Sequence, residues 1–225
     1  NSLLESKNRK RRYHKDQCET IAVDNVSFEV NKNEILSIVG PSGCGKSTIL
    51  SILTNLEEKS DGDIIFHGNE NIGYMLQNDS LFPWLTILDN CLLGLEIYGK
   101  KSKEATENVI RLLDKYGLGE FKNKYPDSLS GGMKQRVALI RTLATNPSLL
   151  LLDEPYSALD YQTRLTLSDD MYKIIKAEGK AAILITHDIA EAVSMSDRII
   201  VLTGRPSKIK NIYKINLENK STPIN

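Results

Sequence analysis

The sequence predicts an α/β fold, a strand-and-helix core into which an all-helical segment is inserted. Three observations carry this. Aliphatic runs of buried-strand length recur at 35–39, 149–152, 181–185 and 199–202. Turn signals bound these runs, and helical patterns separate them. Between about 86 and 144 the strand signal stops and only helical periodicity remains.

In chain order, residues 35–39 form a buried strand that enters a Gly-rich turn, and residues 46–55 the helix that follows. Asp61-Gly62-Asp63 reads as a turn before the strand Ile64-Ile65-Phe66, and His67-Gly68-Asn69 as a second turn. Residues 72–76 are a further strand. In the helical segment, Ala105, Val109, Leu112, Leu113 and Tyr116 share one face, and Gly117 supplies the stop. Strands return at 149–152, 181–185 and 199–202, with a helix between the first two. The tail alternates Ile209, Ile212 and Ile215.

Composition narrows the function. The 225 residues are 40% apolar and 26% charged, which suits one domain or a core with a modest subdomain. Lys plus Arg and Asp plus Glu are both 29, so overall charge draws the chain to neither nucleic acid nor an acidic membrane. The basic run Lys7, Arg9, Lys10, Arg11 and Arg12 reads as a solvated edge, with a specific contact as the alternative. Cys18, Cys44 and Cys91 are widely spaced without CxxC pairing, which points away from disulfides and zinc and fits a reducing cytosol. No apolar stretch approaches the roughly 20 residues that span a bilayer. The N-terminal residues lack a signal-peptide pattern. Any role at a membrane is therefore expected to run through a partner.

Three motifs carry chemistry. Gly40, Pro41, Ser42, Gly43, Cys44, Gly45, Lys46, Ser47 and Thr48 fit the phosphate loop GxxxxGK[ST], set between a strand and a helix. The glycines let backbone N–H groups turn inward as an anion nest, and the helix N-terminus adds its dipole. Lys46 can reach the β- and γ-phosphates, and the Ser47 hydroxyl can ligate Mg²⁺. Secondly, four leucines run into Asp153, Glu154 and Pro155. Carboxylates at the C-terminal end of a buried strand stand where α/β folds bind ligands. Asp153 suits a Mg²⁺ shell and Glu154 a general base for the attacking water; a charged turn ending a strand is the plainer alternative. Thirdly, Leu129-Ser130-Gly131-Gly132-Met133-Lys134-Gln135-Arg136 opens an amphipathic helix that continues through Val137, Ile140 and Ala144. Ser130 reads as its N-cap, making a second helix terminus fit for phosphate.

The run LSGGMKQR resembles the signature motif of ABC ATPases, and the other parts stand in that family's order. Gln77 looks like the Q-loop glutamine, Ser157-Ala158-Leu159-Asp160 like the D-loop, and His187 like the switch histidine. A lone His after a strand is otherwise a structural hydrogen-bonding residue. The resemblance implies a P-loop NTPase with a RecA-like core at about 1–85 and 145–225 and a helical subdomain at about 86–144. It implies a head-to-tail homodimer with ATP held between the phosphate loop of one subunit and Ser130, Gly131, Gly132, Gln135 and Asp160 of the other. It further implies Mg²⁺ held by Ser47, Gln77 and Asp153, catalysis by Glu154, His187 and Gln77, and adenine stacked on Tyr13. A surface tyrosine with no ligand is the alternative for Tyr13. Asn33 and Asn55 stand where the family usually has Gly, and Asn tolerates positive φ well. Tyr156-Ser157 also departs from the usual residues after Pro155.

Three stretches narrow the resemblance: Leu81-Phe82-Pro83-Trp84-Leu85-Thr86-Ile87-Leu88-Asp89-Asn90 after the Q-loop, Met133-Lys134 after the glycines, and His187-Asp188-Ile189-Ala190-Glu191-Ala192 leading to Ser196-Asp197-Arg198-Ile199 and to Gly204-Arg205-Pro206. Together they look like the ATPase subunits of nitrate/sulfonate/taurine-type importers. That implies a permease, an extracytoplasmic substrate-binding protein, no nucleic acid, and a peripheral place on the cytoplasmic face of the membrane. Phe82 and Trp84 then meet the permease, or else pack within the subunit. A soluble cluster-assembly ATPase or an exporter subunit is the rival reading.

Overall fold

The computed structural model describes residues 2–15, 18–40, 61–66, 72–75, 81–156, 159–203 and 208–215, and for 2–27 and 61–66 it describes the backbone only. Strands β1 (Ser2–Lys15), β2 (Cys18–Asn31), β3 (Ile35–Val39), β4 (Asp61–Phe66) and β5 (Ile72–Met75) come first. Helices α1 (Ile87–Ile97), α2 (Lys103–Lys115) and α3 (Gly131–Ala144) follow. Then come β6 (Leu149–Asp153), α4 (Tyr161–Ala177), β7 (Ala181–Thr186), α5 (Ile189–Met195), β8 (Arg198–Leu202) and β9 (Ile209–Lys214).

The central sheet has the order β5-β6-β7-β3-β8-β9, parallel throughout except for β9. Strands β3, β6 and β7 read as nearly unbroken apolar runs because both of their faces are covered. Leu36, Ile38, Leu149, Leu151, Ile183 and Ile185 join Phe28 and Val30 of β2 on one side. Ile35, Leu150, Leu152, Ala182 and Leu184 face the other cluster, which is continuous with the buried residues of α1 to α4. The alternation within each strand thus sends successive side chains into two different cores.

Local chemistry sets the helices. The Ser102 hydroxyl accepts from Ala105 N at 3.0 Å and starts α2, and Gly117 at φ +75° ends it. The predicted face is the buried one, with Val109, Leu112 and Leu113 inside and Ala105 and Tyr116 packed against the cluster. Helix α3 lies so close to β5 that a Cβ on Gly73 would stand 2.6 Å from Thr142 Cγ2. Asn33 adopts φ 56°, the left-handed region in which Asn replaces Gly at low cost.

One expectation is corrected. The segment 61–63 is strand, not turn: β4 is paired from Asp61, opposite Lys10, through Asp63, opposite Lys7. Pairing with β1 overrides the local turn preference of Asp-Gly. The basic run lies within β1, the middle strand of an antiparallel sheet ordered β2-β1-β4.

At the N-terminal end of the parallel strands the polar groups are closely matched. Glu34 accepts from Arg198 Nε at 2.8 Å and from Asn31 N at 2.7 Å. Asp197 accepts from Ile35 N at 2.9 Å and pairs with Lys176 at 2.8 Å.

Candidate active site

Strand β7 lies between β3 and β6, and all three run the same way. Gly40 after β3, Asp153 and Glu154 at the end of β6, and His187 after β7 therefore leave the sheet at one edge, the C-terminal edge where α/β sheets bind ligands. The phosphate-loop residues Pro41, Ser42, Gly43, Cys44, Gly45, Lys46, Ser47 and Thr48 lie outside the described residues, as does Gln77. Tyr13 is described in backbone only, paired with Thr20 near the end of β1.

Glu154 and His187 meet at this edge. His187 Nδ1 stands 3.2 Å from Glu154 Oε1, with the imidazole half exposed and the carboxylate largely covered. Glu154 holds φ 43°, an unfavourable conformation for a side chain of this size. Its N–H donates to Ile185 O at 2.9 Å, which fixes the turn against β7. A non-glycine residue in this region is strained, and such strain gathers at functional sites. Beside it, the Tyr74 hydroxyl of β5 hydrogen-bonds the Asp153 carboxylate; burial first, then that carboxylate, pushes the phenol's pKa up.

Behind the pair lies a buried polar group. Glu191 of α5 is buried, and its Oε2 accepts from the Thr186 hydroxyl at 2.9 Å. The same hydroxyl oxygen accepts from Asp188 N at 3.1 Å. Asp188 caps α5 by accepting from Ala190 N at 2.9 Å and Glu191 N at 3.1 Å, and pairs with Arg164 of α4 at 3.6 Å. Desolvation chiefly raises the Glu191 pKa to about 7.

The signature segment forms a second locus. Ser130 caps α3, its hydroxyl accepting from Met133 N at 3.3 Å. Asp160 caps α4, accepting from Thr163 N at 3.0 Å and the Thr163 hydroxyl at 2.6 Å, bonds that hold its carboxyl below the usual pKa. The two helix starts touch: a Cβ on Gly131 would meet Leu159 Cδ2 at 2.8 Å. Between them Ser130, Gly132, Met133, Gln162 and Thr163 help line a cavity of about 270 Å³. Gln135, by contrast, is buried within α3. Among the described residues no hydrogen bond or ion pair joins Ser130 to Glu154 or His187.

A third feature is the loop before α1. Asn90, fully buried, accepts from Phe82 N at 2.8 Å and donates to the carbonyls of Phe82, Leu85 and Thr86 at 2.9–3.1 Å. This holds an aromatic pair, Phe82 and Trp84 with centroids 5.3 Å apart, while Trp84 remains 70% exposed. Sequence reasoning assigned no role to Tyr74, Asn90, Thr186 or Glu191. Glu191 stood within a stretch used for the resemblance, but a Glu in a helix reads as solvent-facing.

A family profile described as ABC transporter matches residues 23–157. The chain is 44% identical over 184 residues to the formylaminopyrimidine import ATP-binding protein ThiZ of Halalkalibacterium halodurans, covering 82% of this chain and 74% of that protein. It is 40% identical over 200 residues to the taurine import ATP-binding protein TauB of Jannaschia sp., covering 86% and 75%. Among solved structures, a dimeric ATP-binding cassette in a post-hydrolysis state, bound to ADP and Pi, superposes with a TM-score of 0.76 at 31% identity, covering 95% of this chain and 99% of that one.

Proposed function

The chain belongs to the ABC transporter family of ATP-hydrolysing subunits, and on that premise we propose that it powers import of a small sulfonate, a nitrate-like anion or a pyrimidine precursor. The observation that carries the hydrolytic part is the contact between Glu154 and His187 at the ends of neighbouring strands. Glu154 takes the proton of the attacking water, and His187 orients that carboxylate and contacts the γ-phosphate. Gly40, Pro41, Ser42, Gly43, Cys44, Gly45, Lys46, Ser47 and Thr48 cradle the phosphates. Tyr13 stacks on adenine.

The donor set suits Mg²⁺. Asp153 offers a hard carboxylate at the mouth of the sheet, steadied by Tyr74, and Mg²⁺ is commonly held by one or two carboxylates together with substrate phosphates. Ser47, Gln77 and Asp153 would hold the ion, which when bound neutralises phosphate charge.

That no hydrogen bond or ion pair among the described residues joins Ser130 to Glu154 or His187 within one subunit favours a head-to-tail homodimer. Ser130, Gly131, Gly132 and Asp160 then complete the site of the opposite subunit, with buried Gln135 supporting the helix behind them. Residues 86–144 act as a helical subdomain on a RecA-like core of 1–85 and 145–225; in that segment the described residues include no strand. No described helix is long and apolar enough to cross a membrane. The subunit works peripherally, at the cytoplasmic face, through a permease that meets exposed Trp84, with an extracytoplasmic binding protein delivering cargo.

The test is uptake into vesicles carrying the permease and binding protein, with ATP supplied on this subunit's side. Inward accumulation of a sulfonate, nitrate or aminopyrimidine supports the proposal. Outward movement, or hydrolysis that responds to no permease, refutes it.

A further inference from the structure

We propose that Glu191 is a positioning residue for hydrolysis, holding His187 against Glu154 through the Thr186 hydroxyl. The inference rests on the reading of Glu154 and His187 as the hydrolytic pair.

Connectivity makes the case. The Thr186 hydroxyl has one proton, and its oxygen already accepts from Asp188 N at 3.1 Å. Its proton is therefore committed to Glu191 Oε2, 2.9 Å away. These two bonds bracket His187, tying the residue before it to α5 and the residue after it to the same hydroxyl. Glu154 is fastened to this strand end too, through its N–H on Ile185 O at 2.9 Å. Rotation of the 186–188 turn would thus shift the imbalance directly onto the 3.2 Å contact between His187 and Glu154.

The burial of Glu191 demands a reason, since an acidic side chain is costly to bury. Its second oxygen, Oε1, is buried without a hydrogen-bond partner among the described residues. An apolar residue of similar size would fill the space more cheaply but could not accept the Thr186 proton. The groups facing it are mixed. Asp188 and Glu154 raise its pKa, and Thr186 and Arg164 lower it. Tyr156, also buried, lies near enough for its own phenol to be raised by Glu191. Burial dominates and carries the pKa to about 7, so the acceptor works as a carboxylate or as the carbonyl of a neutral acid. A glutamine preserves that carbonyl.

The test compares kcat and ATP affinity of the purified full chain in seven forms: parent, T186V, T186S, E191M, E191Q, H187A and the T186V/H187A double variant. Both T186V and E191M are expected to lose about tenfold or more in kcat with ATP affinity within about twofold, while T186S and E191Q stay within about threefold of the parent. Combined with H187A, T186V should add little further loss, because both act through one contact. Parent-like turnover in E191M, or losses in T186V and H187A that multiply, would overturn the proposal while leaving the hydrolytic pair intact. Parent-like turnover in H187A would instead sink the pair itself, and this inference with it. If E191M folds poorly, T186V and T186S decide alone, since T186V replaces only the hydroxyl by a methyl and T186S removes only the methyl.

Discussion

The two ends of the parallel sheet are built on opposite principles. At the N-terminal end each carboxylate has a cation and a backbone N–H: Glu34 with Arg198 and Asn31, Asp197 with Lys176 and Ile35. At the C-terminal end Glu154 sits in a strained conformation, and Glu191 is buried with one oxygen that has no hydrogen-bond partner among the described residues. The first arrangement stabilises the fold. The second costs stability and holds reactive groups in place, as functional sites tend to do. Substitutions at the two ends should therefore separate stability from turnover.

The largest stability effect is expected at the satisfied end. Arg198→Ala leaves the mostly buried Glu34 without its cation and should cost about 2–3 kcal/mol in denaturant unfolding, with kcat per folded molecule unchanged. A matching loss of kcat would erase the distinction between the ends. Next is Gly73→Ala, whose new methyl meets the β-branched Thr142, itself tied by its hydroxyl to Ala138 O at 2.9 Å. A cost of about 1–3 kcal/mol is expected, because α3 must move off β5. An unchanged unfolding midpoint would mean that α3 yields easily.

Glu191→Gln sharpens the contrast through pH. The folded pKa is raised from 4.5 to about 7, so between those values the folded chain keeps a proton that the unfolded chain has lost. The parent's stability contribution from this group is full below about pH 4.5, falls as pH rises, and is gone once pH has passed about 7. Glutamine has no such loss. The Tm of Glu191→Gln relative to the parent should therefore climb from pH 5 to pH 8 and then level. A difference constant with pH would contradict the burial of a titrating carboxyl. The smallest effect on the isolated subunit belongs to Trp84→Ala, within about 0.5 kcal/mol in stability because the ring is exposed. In the assembled transporter the same change should lower substrate-stimulated ATPase and uptake more than basal ATPase, and an equal loss of both would make Trp84 a residue of the fold.

How much of this was legible in the sequence depends on how local the cause is. Residues 149–152 announce a strand because both faces are buried, and Ser130 announces a helix start because capping is a matter of three residues. Asp153 and Glu154 could be named from their place after an apolar run, and His187 from its resemblance to the switch histidine. The contact between Glu154 and His187 could not, since it depends on β6 and β7 being neighbours. Burial of Glu191 depends on how α5 packs against α4 and β7, and burial of Asn90 on how the 81–86 loop folds back over α1. Such long-range causes leave no periodic trace. Asp61-Gly62-Asp63 fails in the same way, a local turn signal outweighed by pairing with β1.

The most direct test of the central claim is ATP turnover and binding by Glu154→Gln, which keeps the size of the side chain but removes the base. Turnover should fall by about 10²–10⁴ while ATP still binds, and with ATP and Mg²⁺ the variant should accumulate as a dimer on size exclusion. Hydrolysis at the parent rate would contradict the account and place the base elsewhere.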